Sequence, residues 1–371
     1  MTAMSTSIPE QPSASVARTE SVDDFAQRIL DATLGAIDVF SIYLGDRLGW
    51  YRSLASDGPA TADELADRTG THPRYAREWL EQQAATGLLS VDDAEPPRFT
   101  LSAAGAEVLT DERSLSYMTP LPRILTGGAM QMPALLEAYR TGSGVGWAQY
   151  GSDARESQAD VNRPWFEQAL PGALHSVPDL DELLRTPGAA IADIGCGGAW
   201  STLTLARTYP DASVHGFDID AATVEMARSN VASEPEVAQR ITITETDAAG
   251  LPESTFLAVF AFECIHDMPQ PVEVLSAARR SLAPGGVVIV MDEAVADEFT
   301  APGDEVERLM YGYSLMFCLP DGMNHQPSVG TGTVMRPATL RRYAHEAGFA
   351  RMDVLPIENF GFFRFYRLSG G

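Results

Sequence analysis

The sequence predicts an α/β fold: a parallel sheet in the C-terminal half, preceded by a mainly helical unit with a small hairpin. Three observations carry this. From Ala189 onward, short apolar runs alternate with helical stretches, the pattern of βαβ units. The stretch Ala189–Trp200 (AAIADIGCGGAW) joins an apolar strand to a helix through a glycine turn. The N-terminal part shows two short helices and then two β-like runs.

With 371 residues the chain suits two or three domains, and 45% hydrophobic content is ample for their cores. The balance of 26 basic against 51 acidic side chains gives a net charge of −25. That disfavours nucleic acid and anionic membranes as partners, since phosphate contacts need clustered Lys and Arg. The three cysteines, Cys196, Cys264 and Cys318, are dispersed. They read as reduced thiols of a cytoplasmic protein, neither a disulfide framework nor a metal site. Residues 1–20 are rich in Ser, Thr, Pro and Ala, lack the apolar run of a signal peptide and read as a disordered tail. No uninterrupted apolar run approaches the roughly 20 residues of a membrane-spanning helix.

Ser21 caps a helix that begins at Val22, with Asp23 and Asp24 in its first turn. Phe25, Ile29, Leu30, Leu34, Ile37, Phe40 and Ile42 recur at helical spacing, so this helix is expected to dock against another body, a second subunit included. A short helix from Thr61 ends near Gly70, a second runs from Pro73 to Thr86, and Gly87–Val91 with Arg98–Leu101 read as a hairpin. Together they resemble a winged helix. The second helix carries Arg74 and Arg77 but also Glu78 and Glu81, and the wing adds Asp92, Asp93 and Glu95. That is a poor surface for DNA.

Between Ser114 and Leu184 the pattern is less regular. Ala129–Tyr139 reads as a helix and Gly142–Gly146 as a loop. Trp147, Tyr150, Trp165 and Phe166 either face a pocket or pack between domains.

The strand Ala189–Ile194 is short and wholly apolar up to Asp193, as a central parallel strand should be. Gly195 and Gly197 let the backbone turn sharply and a ligand approach. A dinucleotide site would want a third glycine where Trp200 stands, and a pyrophosphate would sit poorly beside Asp193. The next strand, Ser213–Asp218, ends in an acid about twenty residues on, where a carboxylate can accept ribose hydroxyls. Ile219 follows as an adenine neighbour, and the strand Ile241–Glu245 leads to Asp247 and Ala248. The turn Asp-Ile-Gly-Cys-Gly-Gly with these later acids resembles the class I methyltransferases that use S-adenosylmethionine. That resemblance implies a Rossmann-like seven-stranded sheet with an N-terminal winged-helix domain, of the actinobacterial small-molecule type. It implies cofactor contacts at Asp193, Gly195, Gly197, Asp218, Ile219, Asp247, Ala248 and Glu263. It also implies that the winged helix serves dimerisation and closes the pocket, giving a cytoplasmic homodimer. The domains would then be residues 21–113, 114–184 and 185–371.

The fourth strand, Thr255–Glu263, runs into Cys264-Ile265-His266-Asp267-Met268-Pro269. This resembles the His-Asp-Trp segment of O-methyltransferases with an N-terminal winged helix, with Met268 in place of the Trp. There the histidine is the general base. The helix Val272–Leu282 is expected to stop at Pro284-Gly285-Gly286, and the fifth strand, Val287–Met291, ends in Asp292-Glu293. By resemblance, Asp292 orients His266. A helix over Asp304–Cys318 would roof a small-molecule substrate with Tyr313, Met316 and Phe317, and His325 is a second candidate base. A last helix, Thr339–Ala347, precedes a hairpin of Met352–Ile357 and Phe362–Tyr366. The expected reaction is in-line methyl transfer to a substrate oxygen, helped by alignment and a proton acceptor. N- or C-methylation on the same fold, without a strong base, stays open, as does a regulator that binds DNA.

Overall fold

The computed structural model describes residues 20–370, so the tail expected over residues 1–20 lies outside them, save for Glu20. Helix α1 (Val22–Arg47) opens with a reciprocal capping box between Ser21 and Asp24. Helices α2 (Trp50–Asp57), α3 (Ala62–Thr69) and α4 (Pro73–Ala85) follow, then strands β1 (Ser90–Val91) and β2 (Phe99–Thr100) and helix α5 (Ala103–Thr110). The wing is shorter than expected because only Ser90–Thr100 and Val91–Phe99 pair. Trp50, Tyr51, Leu65, Trp79, Leu80 and Phe99 form this unit's core. Gly45 lets α1 lie close to it, since a Cβ there would come within 2.4 Å of the Trp79 ring.

The connecting region is helical: α6 (Pro120–Met130), α7 (Met132–Thr141), α8 (Gly151–Pro164), α9 (Leu170–His175) and α10 (Pro178–Leu184). The single helix expected over Ala129–Tyr139 is instead broken at Gln131, where Pro133 starts α7 afresh. The Arg123 side chain on α6 is only 6% exposed; its Nε lies 2.9 Å from Asp46 of α1, and Nη1 lies 2.8 Å from Asp160 of α8. A buried guanidinium between two carboxylates thus ties the N-terminal unit to the rest. Between α8 and α9, residues Trp165–Ala169 widen into a π turn, closed by the Leu170 N–H bonding back to Trp165. Pro171 lacks an N–H, so regular α-helical bonding cannot continue there.

The sheet contains β3 (Ala190–Ile194), β4 (Ser213–Asp218), β5 (Ile241–Glu245), β6 (Phe256–Phe262), β7 (Leu282–Glu293), β8 (Arg351–Val354) and β9 (Phe363–Ser369). Their order is β5-β4-β3-β6-β7-β9-β8, parallel except for β9. Helices α11 (Trp200–Thr208), α12 (Ala221–Ala232) and α13 (Pro235–Ala238) cover one face together with α9 and α10. Helices α14 (Pro271–Ser281) and α17 (Pro337–Glu346) cover the other. Pro284-Gly285-Gly286 does not lie beyond the helix as a separate stop: it sits inside β7, at an irregularity opposite Phe256–Ala258 of β6. Helices α15 (Glu305–Tyr313) and α16 (Leu319–Asn324) are inserted between β7 and α17 and joined by a second π turn, Ser314–Cys318. The helix expected to end at Cys318 therefore runs on. Pro320 cannot bond back to Met316, and the freed Met316 carbonyl accepts the Tyr150 hydroxyl at 2.5 Å.

Candidate active site

Strand order reverses between β3 and β6, with β4 on one side and β7 on the other. In open parallel sheets the crevice beyond such a point takes the ligand. A cavity of about 840 Å³ lies there, walled by α6, α8, both π turns and α16.

The glycine turn forms its floor. Gly195 and Gly197 have φ of 65° and 53°, the left-handed region, as does Ala199 at 63°. A Cβ on Gly195 would lie 2.8 Å from that of Cys264, so the turn packs directly on the end of β6. The carboxylate of Asp218, the last residue of β4, accepts the Gly197 N–H through Oδ2 and the Asp220 N–H through Oδ1, each at 3.0 Å. Burial pushes its carboxyl up, against the pull of these amides. Asp247 folds back onto the Ala249 N–H at 2.8 Å. Ile219, two-thirds exposed, and Ala248 complete this end.

Asp193 departs from the expectation. It does not line the cavity; it is fully buried beneath the turn, where Oδ2 accepts the hydroxyls of Ser201 and Thr202 at 2.7 and 2.6 Å. Burial pushes its carboxyl up to about 6. It braces the first turn of α11 against β3.

Glu263 has φ of 50°, rare for a side chain with a Cβ and a strain found preferentially at functional sites. Its Oε2 accepts from Gln158 and Asn162 of α8, each at 3.2 Å. Oε1 is buried without a partner among the described residues, and burial pushes the carboxyl up to about 7.

His266, on the turn after β6, is 3% exposed. Its Nδ1 lies 3.0 and 3.1 Å from the two oxygens of Asp292 and 3.3 Å from Glu293. Its Nε2 lies 3.1 Å from Oδ1 of Asp267, at ion-pair distance but without an aligned hydrogen bond. Burial alone would push the imidazole down; Asp267, Asp292 and Glu293 outweigh it and hold the pKa well above the ordinary histidine value. Glu293 is itself pushed well up by burial, with Asp292 adding to the shift and His266 opposing it. Cys318 of the second π turn approaches on the Asp267 side; burial lifts its thiol to about 12. The ligand-type atoms of His266 with Asp267 and Cys318, and of His266 with Asp292 and Glu293, each gather within 4.8 Å. Both sets share one imidazole, whose Nδ1 faces Asp292.

Of the expected roof residues, Tyr313 and Phe317 line the cavity and His325 stands exposed at its mouth. Met316 does not: it packs on Gly128 of α6 beside the Phe317 ring, where a Cβ would lie 2.8 Å from its Cε. Trp147, Trp165 and Phe166 line the cavity, whereas Tyr150 is buried behind it. Residues not anticipated are Gln158, Asn162, Arg155, Cys318 and Asp321. Asp321 accepts the Trp147 N–H at 2.7 Å, and burial lifts its carboxyl to about 7.

A family model described as a methyltransferase domain matches residues 191–286, and one described as an Rv2258c-like winged HTH domain matches residues 36–111. The ubiquinone biosynthesis O-methyltransferase of Alkalilimnicola ehrlichii is 31% identical over 196 residues, 51% of this chain and 74% of that protein. The chain belongs to the S-adenosylmethionine-dependent methyltransferases. The 3-amino-4-hydroxybenzoate 4-O-methyltransferase of Streptomyces cremeus is 25% identical over 278 residues, 73% of this chain and 74% of that one. Among solved structures, the mitomycin 7-O-methyltransferase MmcR matches with a TM-score of 0.72 at 19% identity, over 94% of this chain and 98% of that one. Human N-acetylserotonin methyltransferase, solved with S-adenosylmethionine, matches with a TM-score of 0.70 at 18% identity, over 95% and 99%. At these identities the structures speak for the fold.

The methyltransferase's cofactor is S-adenosylmethionine. The cavity suits a cation bearing a sulfonium and an ammonium. Among its described lining residues are eight carboxylates and a single guanidinium, Arg155. Arg155 is already paired with Asp220 at 3.0 Å. A pyrophosphate would find no free positive charge there, whereas the unpartnered Glu263 oxygen offers a cation an acceptor.

Proposed function

We propose that this methyltransferase methylates a hydroxyl group of a small molecule, with His266 as the proton acceptor and Asp292 as the residue that orients it. The carrying observation is the pairing of Nδ1 with Asp292. It leaves Nε2 on the side of Asp267 and Cys318, both of which line the cavity. The Streptomyces cremeus relative, an O-methyltransferase by name, supports the reading.

Gly195, Gly197, Asp218, Ile219, Asp247, Ala248 and Glu263 would hold the cofactor. When bound, it supplies a methyl group on a cationic sulfur. The chain's own contribution is alignment and proton transfer. The aromatic roof of Tyr313 and Phe317 confines the acceptor and excludes water. Asp292, buried beside the imidazole, fixes its ring and stabilises the imidazolium formed when the hydroxyl proton arrives at Nε2. Residues 21–113 would serve dimerisation, residues 114–184 would cover the pocket and residues 185–371 would bind the cofactor; the family matches at 36–111 and 191–286 support the outer two. The second subunit would cover the apolar face of α1, where Phe25, Ile29, Leu30, Leu34 and Ile37 are each about half exposed. Such an enzyme would be cytoplasmic and would not bind DNA.

Losing the ribose contacts leaves polar groups unpaired, so Asp218→Ala should weaken cofactor binding by about 1–3 kcal/mol in calorimetry. Tight binding of NAD by the wild type would overturn the cofactor assignment. His266→Ala should keep cofactor affinity but lose about a hundred- to ten-thousand-fold in single-turnover rate on a hydroxyl acceptor. Near-full turnover would remove His266 as the base and leave His325 as the candidate. Specific retention of DNA at moderate salt would count against a winged helix that serves dimerisation alone.

A further inference from the structure

We infer that the acceptor is an apolar hydroxyl compound that also carries a protonated amine, and that the site excludes acceptors carrying a carboxylate or phosphate. This rests on the reading of His266 as the marker of the acceptor end.

Once the cofactor residues are set aside, the charges left in the cavity are unevenly placed. Arg155 stands at the ribose end, since its partner Asp220 follows two residues after Asp218. It is the lone Lys or Arg among the described lining residues. The acceptor end has Asp267 and Asp321 instead, on facing elements. Helix α16 packs on the turn after β6 so closely that a Cβ on Gly322 would lie 2.9 Å from the Asp267 carbonyl. That packing brings the Asp321 carboxyl under the influence of Asp267 foremost, whose charge helps to raise it, with smaller contributions from Asp220 and Asp218 across the cavity. Oδ1 of Asp267 is buried with no aligned hydrogen bond among the described residues, although it lies 3.1 Å from His266 Nε2. An acceptor oxygen and a nearby N–H donor would together satisfy both atoms. Leu309, Met310, Tyr313, Phe317 and Met268 give this end a largely apolar wall, interrupted by Thr333, Asn324 and His325.

An anionic acceptor would have to shed its water beside Asp267 and Asp321 with no Lys or Arg to meet it and with the His266 imidazole already flanked by Asp292 and Asp267, a like-charge juxtaposition. A protonated amine meets the opposite situation: its desolvation is offset by Asp267 or Asp321, through charge-assisted hydrogen bonds. Discrimination of this kind comes as much from repulsion of the wrong ligand as from attraction of the right one.

The test uses three para-substituted phenols that differ at the chain end: tyramine, tyrosol and 3-(4-hydroxyphenyl)propanoate. It is repeated with the corresponding naphthol series for a larger body. Each is titrated calorimetrically into protein saturated with S-adenosylhomocysteine, which reads binding without turnover. The amine should bind at least about tenfold more tightly than the carboxylate, one step of about 1.4 kcal/mol, with the alcohol between. Asp267→Asn and Asp321→Asn should each narrow that ratio, while affinity for S-adenosylhomocysteine stays within a few-fold and reports an intact fold. Equal or tighter binding of the carboxylates, failure of every amine to bind, or a ratio unchanged in both variants would overturn the inference. The O-methylation reading fails separately. An amine that binds but is methylated on nitrogen, as seen by mass spectrometry, sinks that reading and leaves the charge preference standing. A carboxylate phenol methylated on its hydroxyl in preference to its amine counterpart does the reverse.

Discussion

Replacing Gly195 by alanine tests whether the glycine turn and the end of β6 form one unit. The new methyl meets two penalties that the structure separates. At φ of 65° a side chain with a Cβ costs about 1–2 kcal/mol relative to an ordinary conformation. The Cβ would also lie 2.8 Å from the Cβ of Cys264 and 3.0 Å from its Sγ, well inside the roughly 3.5–4.0 Å of a comfortable contact. Relief requires Cys264 or the turn to move, and such overpacking costs about 1–3 kcal/mol. Together they predict a loss of about 2–5 kcal/mol, which a domain with about 5–15 kcal/mol of stability survives folded but loosened. Cys264 lies between Glu263 and His266 in sequence, and its thiol donates to the Ile194 carbonyl at 3.2 Å, so the displacement should reach both ends of the site. Gly197→Ala is the internal comparison. Its φ is 53°, but no atom lies within 4 Å of the new methyl, so only the conformational penalty of about 1–2 kcal/mol applies. Denaturant unfolding would measure both, and calorimetry would follow S-adenosylmethionine binding. Equal losses in the two variants, or a Gly195→Ala protein as stable as wild type with full cofactor affinity, would refute the claim that the turn leans on Cys264.

The carboxylates of Asp267, Asp292 and Glu293 hold the His266 pKa above its ordinary value, with Glu263 and Cys318 the other titratable groups beside it. Its stabilising contribution is therefore full below about 6.5 and is lost as pH rises through the raised folded value. A base must be neutral, so the pH–rate profile should climb on the alkaline side of 6.5, roughly, and Asp292→Asn should move that limb to lower pH while slowing turnover. A limb that stays put in Asp292→Asn would disconnect the pair. Arg123→Met takes the partner from Asp46 Oδ2 while Arg52 stays on Oδ1, and should cost about 1–3 kcal/mol in denaturant unfolding, with partial recovery when Asp46→Asn is added. Ile29→Asp with Leu34→Asp should yield a folded monomer in ultracentrifugation, with a melting midpoint lowered only by the lost association and no longer dependent on protein concentration, because both side chains are about half exposed within one chain; an unchanged sedimentation pattern would place any dimer contact elsewhere.

Features dictated by local chemistry were legible in the sequence. Strands β3 and β4 are mainly apolar runs and β5 an Ile-Thr alternation, each ending at a glycine turn or an acid, and Ser21, Thr61 and Asp304 sit where unpaired helix N–H groups need an oxygen. The order of acids after the glycine turn was enough to indicate the cofactor class, because successive parallel strands bring their C-terminal ends to one edge. Folding decided whatever depends on partners far along the chain. Asp193 and Asp218 both sit at the C-terminal end of a strand, yet one is sealed under Ser201 and Thr202 and the other faces the cavity. Only the packing of α11 distinguishes them. Met316 and Phe317 are adjacent and both reach Gly128 of α6, yet only Phe317 also lines the pocket, a difference set by the π turn that Pro320 helps to impose. Asp267 and Asp321 are 54 residues apart in sequence. Nothing local signals their convergence, since two carboxylates come together only where the closing of α16 over β6 outweighs their repulsion.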